Sequence, residues 1–334
     1  MKLFKKIFIG LLALVLCLSC LAACKDEDGG EADNATVYHT VKFTEADGGA
    51  VVTERQVKHG SKLTEPAVPD KAGYIFDGWY KGSIPWSFED AVNTDLILHA
   101  RWLDADTVFS HTPTGDGTTT VITGLKLTRS YMRLPSVIGG YTVTGVGDGL
   151  FKDVSSEPPI YEIILPETVT HIGAEAFKGQ SDVVIKVEGA LESVGEYAFY
   201  GCGGLEEIRF TEGLTTVSAY AFSGTSLKQI ILPTTLTHID ENAFESCVTL
   251  VAAAMPSAGL RVDNSAFSDT NIKILYLYGT DAQVGELFET GISSQNKPLH
   301  EAKIYLYSEA EPTGETAYDG FWYLDENERT RIWK

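Results

Sequence analysis

Through the second half of the chain, apolar positions return with a period that no single helix or strand explains. An aliphatic residue, a short polar stretch and a small residue lead to a phenylalanine at Phe151, Phe177, Phe199, Phe222, Phe244 and Phe267, spaced by 26, 22, 23, 22 and 23 residues. A looser seventh copy ends at Phe288. Twelve residues before five of these positions stand Leu165, Val187, Phe210, Leu232 and Met255, each closing a short β-prone run such as Glu206-Glu207-Ile208-Arg209-Phe210. A constant offset inside a nearly constant period predicts stacked, almost identical coils. One 22-residue coil cannot bury its apolar stripe alone, so neighbouring coils must cover it. Each buried ring then contributes about 1.5–3 kcal/mol. Coils at strand spacing rise by about 4.7–4.9 Å, so six span on the order of 30 Å. Open ends need caps. Val121–Leu134 is expected to close the N-terminal end of a solenoid over residues 121–290. The aromatic tail, residues 291–334, is expected to close the other.

The first half reads differently. Val41 and Phe43 alternate with polar residues, Asp47-Gly48-Gly49 marks a turn, and Val51-Val52 resumes. Gly73-Tyr74-Ile75-Phe76-Asp77-Gly78-Trp79-Tyr80 and Leu96-Ile97-Leu98-His99-Ala100-Arg101-Trp102 are further β-prone runs bounded by turn residues. These predict a small β domain over residues 38–103. Trp79, Trp86 and Trp102 could stack on sugars, but in so small a domain they are read as core or half-buried cover. Residues 104–120, rich in Asp, Thr, Gly and Pro, read as a linker. At the start, three lysines precede an apolar run from Ile7 to Ala23, the layout of a signal peptide over residues 1–23. An acidic, Gly-containing tether follows over residues 24–37.

Two repeat copies carry a resemblance: Leu165-Pro166-Glu167-Thr168-Val169-Thr170-His171-Ile172-Gly173 and Leu232-Pro233-Thr234-Thr235-Leu236-Thr237-His238-Ile239-Asp240. Both run on into Ala-Phe, and they resemble the BspA-like leucine-rich repeat of bacterial surface proteins. The pattern loosens at Met255-Pro256 through Gly259 and around Glu157-Pro158-Pro159. Gly78-Trp79-Tyr80 with Arg101-Trp102 resembles the Listeria–Bacteroides (internalin B-) repeat, a β-grasp-like module. Leu21-Ala22-Ala23-Cys24 resembles a bacterial lipobox, which makes Cys24 the lipidated first residue of the mature chain. Together these imply a mainly β fold with short helical turns: a leucine-rich-repeat solenoid preceded by a small β-grasp-like domain. They further imply a surface lipoprotein in the bacterial envelope, held to the membrane through Cys24, whose ligand is an extracellular protein or glycan.

Charge and candidate chemistry narrow the function. With 46 acidic residues against 26 basic ones the chain carries −20, which repels phosphate backbones and disfavours nucleic acid as a partner. His171 and His238 occupy one repeat position three coils apart, roughly 15 Å, so no metal-ligand pair is expected from them. Gly145-Val146-Gly147-Asp148-Gly149 lacks the Lys-Ser of a phosphate loop, and neither a nucleophile elbow nor a His-Glu-x-x-His motif occurs. No catalytic residue, cofactor or metal is expected. Cys202 and Cys247 each follow a repeat phenylalanine by three residues, two coils apart. That is about 10 Å by strand spacing, whereas a disulfide needs Cα atoms within about 7 Å, so both thiols are expected free.

Alternation along the strands predicts a binding face. If Leu165 and its equivalents point inward, the residues just before them point outward: Ile164, Lys186, Arg209, Ile231, Ala254 and Tyr276. A second outward column reads Glu162, Val184, Glu207, Gln229, Ala252 and Ile274. Two readings stay open for the apolar C-terminal part: an interaction site, or a surface covered by the aromatic tail. An enzyme with a site assembled across coils and a passive envelope component are the alternatives to recognition.

Overall fold

The computed structural model describes Thr36–Trp333 except residues 68–70, 158, 313–315 and 326–328. The signal peptide, Cys24 and nearly all of the acidic tether lie outside the described residues.

The repeat forms the expected solenoid. Phe151, Phe177, Phe199, Phe222, Phe244 and Phe267 are completely buried and stack ring on ring. Successive centroids lie 5.0–5.5 Å apart and successive planes stay within 15° of parallel. The backbone around each ring forms its own ladder: Glu175, Phe177 and Gly179 N–H donate to the carbonyls of Glu196, Ala198 and Tyr200 in the next coil. To turn these N–H groups along the stack, the chain is left-handed two residues before and two residues after the ring. Tyr197 and Tyr220 hold φ 56° at the first position, where Gly149 holds 62°. A side chain there costs on the order of 1–2 kcal/mol, which the stack must offset. Beyond Phe267, the wholly buried Asn296 closes the ladder, its Oδ1 accepting from Phe267 N–H at 2.9 Å. The seventh copy departs from the series. Its coil opens with the helix Asp281–Glu286 and buries Leu287, while Phe288 is half-buried edge-on to His300.

Parallel strands line one face of the coils, but in two sheets. Tyr131–Arg133, Glu162–Leu165 and Val184–Val187 make the first. Gln229–Ile231, Ala252–Pro256, Ile274–Tyr278, Lys303–Tyr307, Gly320–Leu324 and Thr330–Ile332 make the second, the last pair antiparallel. Between them Glu206–Arg209, expected as a strand, forms none; on this face the chain pairs with the preceding coil through isolated bridges, Gly204 opposite Val184 and Phe210 opposite Leu191. The cause is local. Gly204 approaches so closely that a Cβ there would sit 2.1 Å from Val183 O, and Arg209 reaches the Glu188 carbonyl with its side chain. A second run of short strands, from Phe109–Pro113 to Arg261–Val262, lines another face of the coils.

The N-terminal segment is a mixed five-stranded sheet ordered Val51–Lys58, Tyr38–Thr44, Leu96–Asp104, Tyr74–Lys81, Ile84–Pro85. Trp79 lies in its core, and Trp86 and Trp102 pack half-buried against it. The segment is not set apart from the solenoid: Tyr38–Lys334 forms one compact unit. Ile75 joins the solenoid core, and Gly73 N–H donates to Val137 O at 3.1 Å. The Asp77 carboxylate, buried at the junction, is held between Arg101 and Arg129.

The linker expectation for residues 104–120 needs correction. Asp104 caps the helix Ala105–Val108, which leads into a hairpin of Phe109–Pro113 and Thr119–Leu125. Val108, Phe109 and Ile122 are fully buried in the solenoid core, so the hairpin forms its N-terminal cap. The polar composition belongs to the turn alone, where Asp116 accepts from Thr118 and Thr119 backbone and hydroxyl groups. Those hydrogen bonds hold its carboxyl far below the usual range.

Candidate recognition face

The two outward columns divide into a covered half and an open half. Ala254 and Tyr276 are buried (Tyr276 7% exposed), and Ile231, Ala252 and Ile274 are half-buried. The aromatic tail covers them. Strand Gly320–Leu324 extends the sheet and lays Trp322, wholly buried, against Tyr276, Tyr278 and Tyr307 at 4.9–5.1 Å between centroids. Gly320 permits this arrangement, since its φ of 145° would strain any other residue.

The N-terminal half is open. Val184 is 45% exposed, and Lys186, Glu207, Arg209 and Gln229 are exposed, while Ile164 is buried and Glu162 half-buried. Tyr131 and Tyr161, which the sequence reading missed, are 47% and 53% exposed with ring centroids 6.1 Å apart. Lys186 pairs with Glu162 across one rung. Arg133 forks onto Glu188, Nη1 to Oε1 at 2.8 Å and Nη2 to Oε2 at 2.5 Å. Beside this pair is a cleft of about 590 Å³ lined by Arg133, Ser136, Glu167, Thr168, Glu188 and Arg209. Two polar atoms in its wall, Arg133 Nε and Thr168 Oγ1, are buried without a protein partner. Tyr131 opens its strand in register with Glu162, one coil before the column began, and Tyr161 directly precedes the strand Glu162–Leu165, so neither fell in the columns. Glu65, from the N-terminal segment, has its carboxyl raised by burial and by Glu162; Tyr131 is raised by burial and by both carboxylates.

Elsewhere the candidate chemistry resolves into structural contacts. Cys202 and Cys247 are free and fully buried, each Sγ donating to a phenylalanine carbonyl of the preceding stack, Phe177 O and Phe222 O, at 3.0 Å. Burial pushes the Cys202 thiol up to about 12 and raises that of Cys247. A thiol held neutral is a poor nucleophile. His111 lies between Thr120 Oγ1 (2.9 Å) and Asp106 Oδ1 (3.3 Å), a hydroxyl–imidazole–carboxylate row like that of a hydrolase. Thr120 is wholly buried between strands, which leaves a substrate no approach to its hydroxyl. His171 is exposed and bonded to Thr170 Oγ1 at 2.6 Å. His238 differs: the ladder brings Asp240 and Asp263 to it, a set that the expectation of no metal ligands overlooked.

Stacked coils with a phenylalanine ladder and short parallel strands define a leucine-rich-repeat solenoid. Residues 170–287 match the BspA type leucine rich repeat region in six copies, and residues 39–101 match the Listeria-Bacteroides repeat domain. The chain therefore carries a BspA-type leucine-rich-repeat region and, ahead of it, a Listeria–Bacteroides repeat. It is 40% identical over 81 residues to a putative membrane protein of Evansella cellulosilytica, a match covering 21% of this chain and 12% of that one. A putative Gly-rich membrane protein of the same organism is 41% identical over 68 residues, 19% of this chain and 8% of the other. Similar solved structures include a leucine rich cell surface protein of Faecalibacterium prausnitzii, 18% identical, covering 68% of this chain and 59% of that one at a TM-score of 0.43. The T. pallidum leucine rich repeat protein is 21% identical, covering 57% and 95% at a TM-score of 0.40. The repeat family is typically non-catalytic, and the described residues assemble no open catalytic constellation.

Proposed function

We propose that this chain is a surface-anchored bacterial lipoprotein that recognises an extracellular protein or glycan through the open N-terminal half of its strand face. The observation that carries this reading is the contrast on that face: Tyr131, Tyr161 and Val184 stand exposed beside the Arg133–Glu188 cleft, while equivalent apolar residues further along are covered. Exposed aromatic and apolar side chains rimmed by charge are the usual mark of an interaction site. Lys186, Arg209, Glu207 and Gln229 supply the polar rim, and no cofactor takes part. Acyl chains on Cys24 hold the protein to the membrane, more than one being needed for stable anchoring. The N-terminal segment serves as the spacer between that anchor and the solenoid.

Two measurements test the two parts. Cys24→Ala should abolish incorporation of labelled fatty acid and release the protein from the membrane fraction; continued labelling contradicts the anchor. Screening against matrix proteins, mucins and glycans should give a saturable ligand whose binding is lost in the Lys186→Glu/Arg209→Glu double variant. No saturable ligand favours a passive envelope role, and binding lost only on Ile231→Asp moves the site to the covered half.

A further inference from the structure

We propose that His238, Asp240 and Asp263 form a binding site for a divalent transition metal ion of the zinc type. The strands His238–Ile239 and Arg261–Val262 are adjacent parallel rungs, His238 opposite Arg261 and Ile239 opposite Val262. The residues that follow, Asp240 and Asp263, therefore also fall side by side. Their carboxylates converge on one nitrogen: Asp240 Oδ1 lies 3.5 Å and Asp263 Oδ2 3.3 Å from His238 Nε2. The three candidate ligand atoms lie within 4.8 Å of one another, and all three residues are half-buried.

These separations are informative. A charge-assisted N–H···O hydrogen bond closes to about 2.7–2.9 Å. Around a tetrahedral ion with bonds of about 2.0–2.1 Å, neighbouring donor atoms are about 3.3–3.4 Å apart. Both observed separations lie close to that spacing, and without an ion the His238 Nε2–Asp263 Oδ2 pair at 3.3 Å closes as a long hydrogen bond. One imidazole with two carboxylates suits Zn²⁺ or a neighbouring first-row ion, whereas Ca²⁺ and Mg²⁺ prefer oxygen alone. Arg261 opposes a cation by its charge, but it is exposed and screened. Its Nε donates to Asp263 Oδ1 at 2.9 Å, which leaves Oδ2 for the ion and fixes the carboxylate, as outer partners of metal ligands do. Three protein ligands leave a fourth position for water or for an acidic group of a bound partner.

The repeat contains its own control. His171 occupies the position of His238 three coils earlier, but Gly173 and Gly195 stand where Asp240 and Asp263 stand here. A side chain cannot enter there: a Cβ at Gly173 would meet Asp148 Oδ1 at 2.5 Å, and one at Gly195 would meet Ala174 N at 2.5 Å. The column opens only toward the C-terminal coils, where the carboxylates appear.

The test is calorimetric titration of the purified protein with Zn²⁺, and with Ca²⁺ for comparison. One equivalent of Zn²⁺ should bind, with no heat from Ca²⁺ at the same concentration. His238→Gln and Asp240→Asn should each weaken binding at least tenfold, while His171→Gln leaves it unchanged. Co²⁺ added to the unaltered protein should give the intense visible absorption of a tetrahedral site, a readout that needs no variant to fold. The proposal is overturned if no stoichiometric binding occurs, if the Co²⁺ spectrum is octahedral, or if His171→Gln weakens binding as much as His238→Gln. Binding lost instead in His59→Gln would assign the ion to the His39–His59 pair, whose ring nitrogens lie 2.9 Å apart, and would equally overturn it.

Discussion

The two halves of the strand face are built from one repeat yet end as opposite surfaces. In the C-terminal half, Ala252, Ala254, Ile274 and Tyr276 point outward, and the chain supplies its own cover in Tyr305, Tyr307 and Trp322. In the N-terminal half, outward residues pair by charge across rungs, Lys186 with Glu162 and Arg133 with Glu188, and stay wet. The interior is the same in both, an unbroken phenylalanine stack. The repeat therefore fixes the inside of each coil, while the two outward residues of each strand decide whether the outside is closed or left available. The strand break at Glu206–Arg209 separates the two sheets, and exposure runs on past it as far as Gln229.

If the interior is common to both halves, Phe177→Ala and Phe244→Ala should each cost about 3–5 kcal/mol in denaturant unfolding. A large loss at one and a small loss at the other would break the comparison. Trp322→Ala should cost about 3 kcal/mol, the lower end for so large a side chain because the surrounding tyrosines can close in. Its effect should be local, with hydrogen exchange accelerating in Ile274–Tyr278 and Lys303–Tyr307 and unchanged in Glu162–Leu165. Arg133→Ala, which strips the partner from the part-exposed Glu188, should cost about 1 kcal/mol.

Smaller effects sharpen the open half. Because burial and Glu162 raise the Glu65 carboxyl, the native state binds its proton more tightly than the unfolded chain. Stability from this group is therefore lost as pH rises from the unfolded value of about 4.3 through the raised one. Glu65→Gln should stabilise at pH 7 and have no effect near pH 4; a gain of equal size at both values would contradict the assignment. Lys186→Glu, on an exposed rung, should change stability by no more than about 0.5 kcal/mol.

Much of this was legible before the structure. The offset of twelve residues between strand end and phenylalanine predicted the stack, whereas of the residues just before Leu165 and Leu232 that alternation turned outward, Ile164 is buried and Ile231 half-buried. Where reading failed, the cause was a contact between coils that are distant in sequence. Residues 104–120 looked like a linker because the Asp116 turn dominates their composition, while the buried Ala105, Val108 and Phe109 are few among the polar residues. Glu206–Arg209 kept a strand pattern that Gly204 and the Arg209 side chain override. The carboxylates at His238 escaped notice because Asp263 belongs to the next rung, 25 residues away. Whether the tail covers the apolar outward residues is likewise set by Trp322, far along the chain, and no local pattern reports it.

Chemical footprinting of tyrosine in the intact protein tests the division of the face most directly. The account predicts rapid modification of Tyr131 and Tyr161 and strong protection of Tyr276, with Tyr276 becoming reactive in Trp322→Ala while Tyr131 and Tyr161 are unchanged. Equal reactivity of Tyr276 and Tyr131 in the unaltered protein would contradict it.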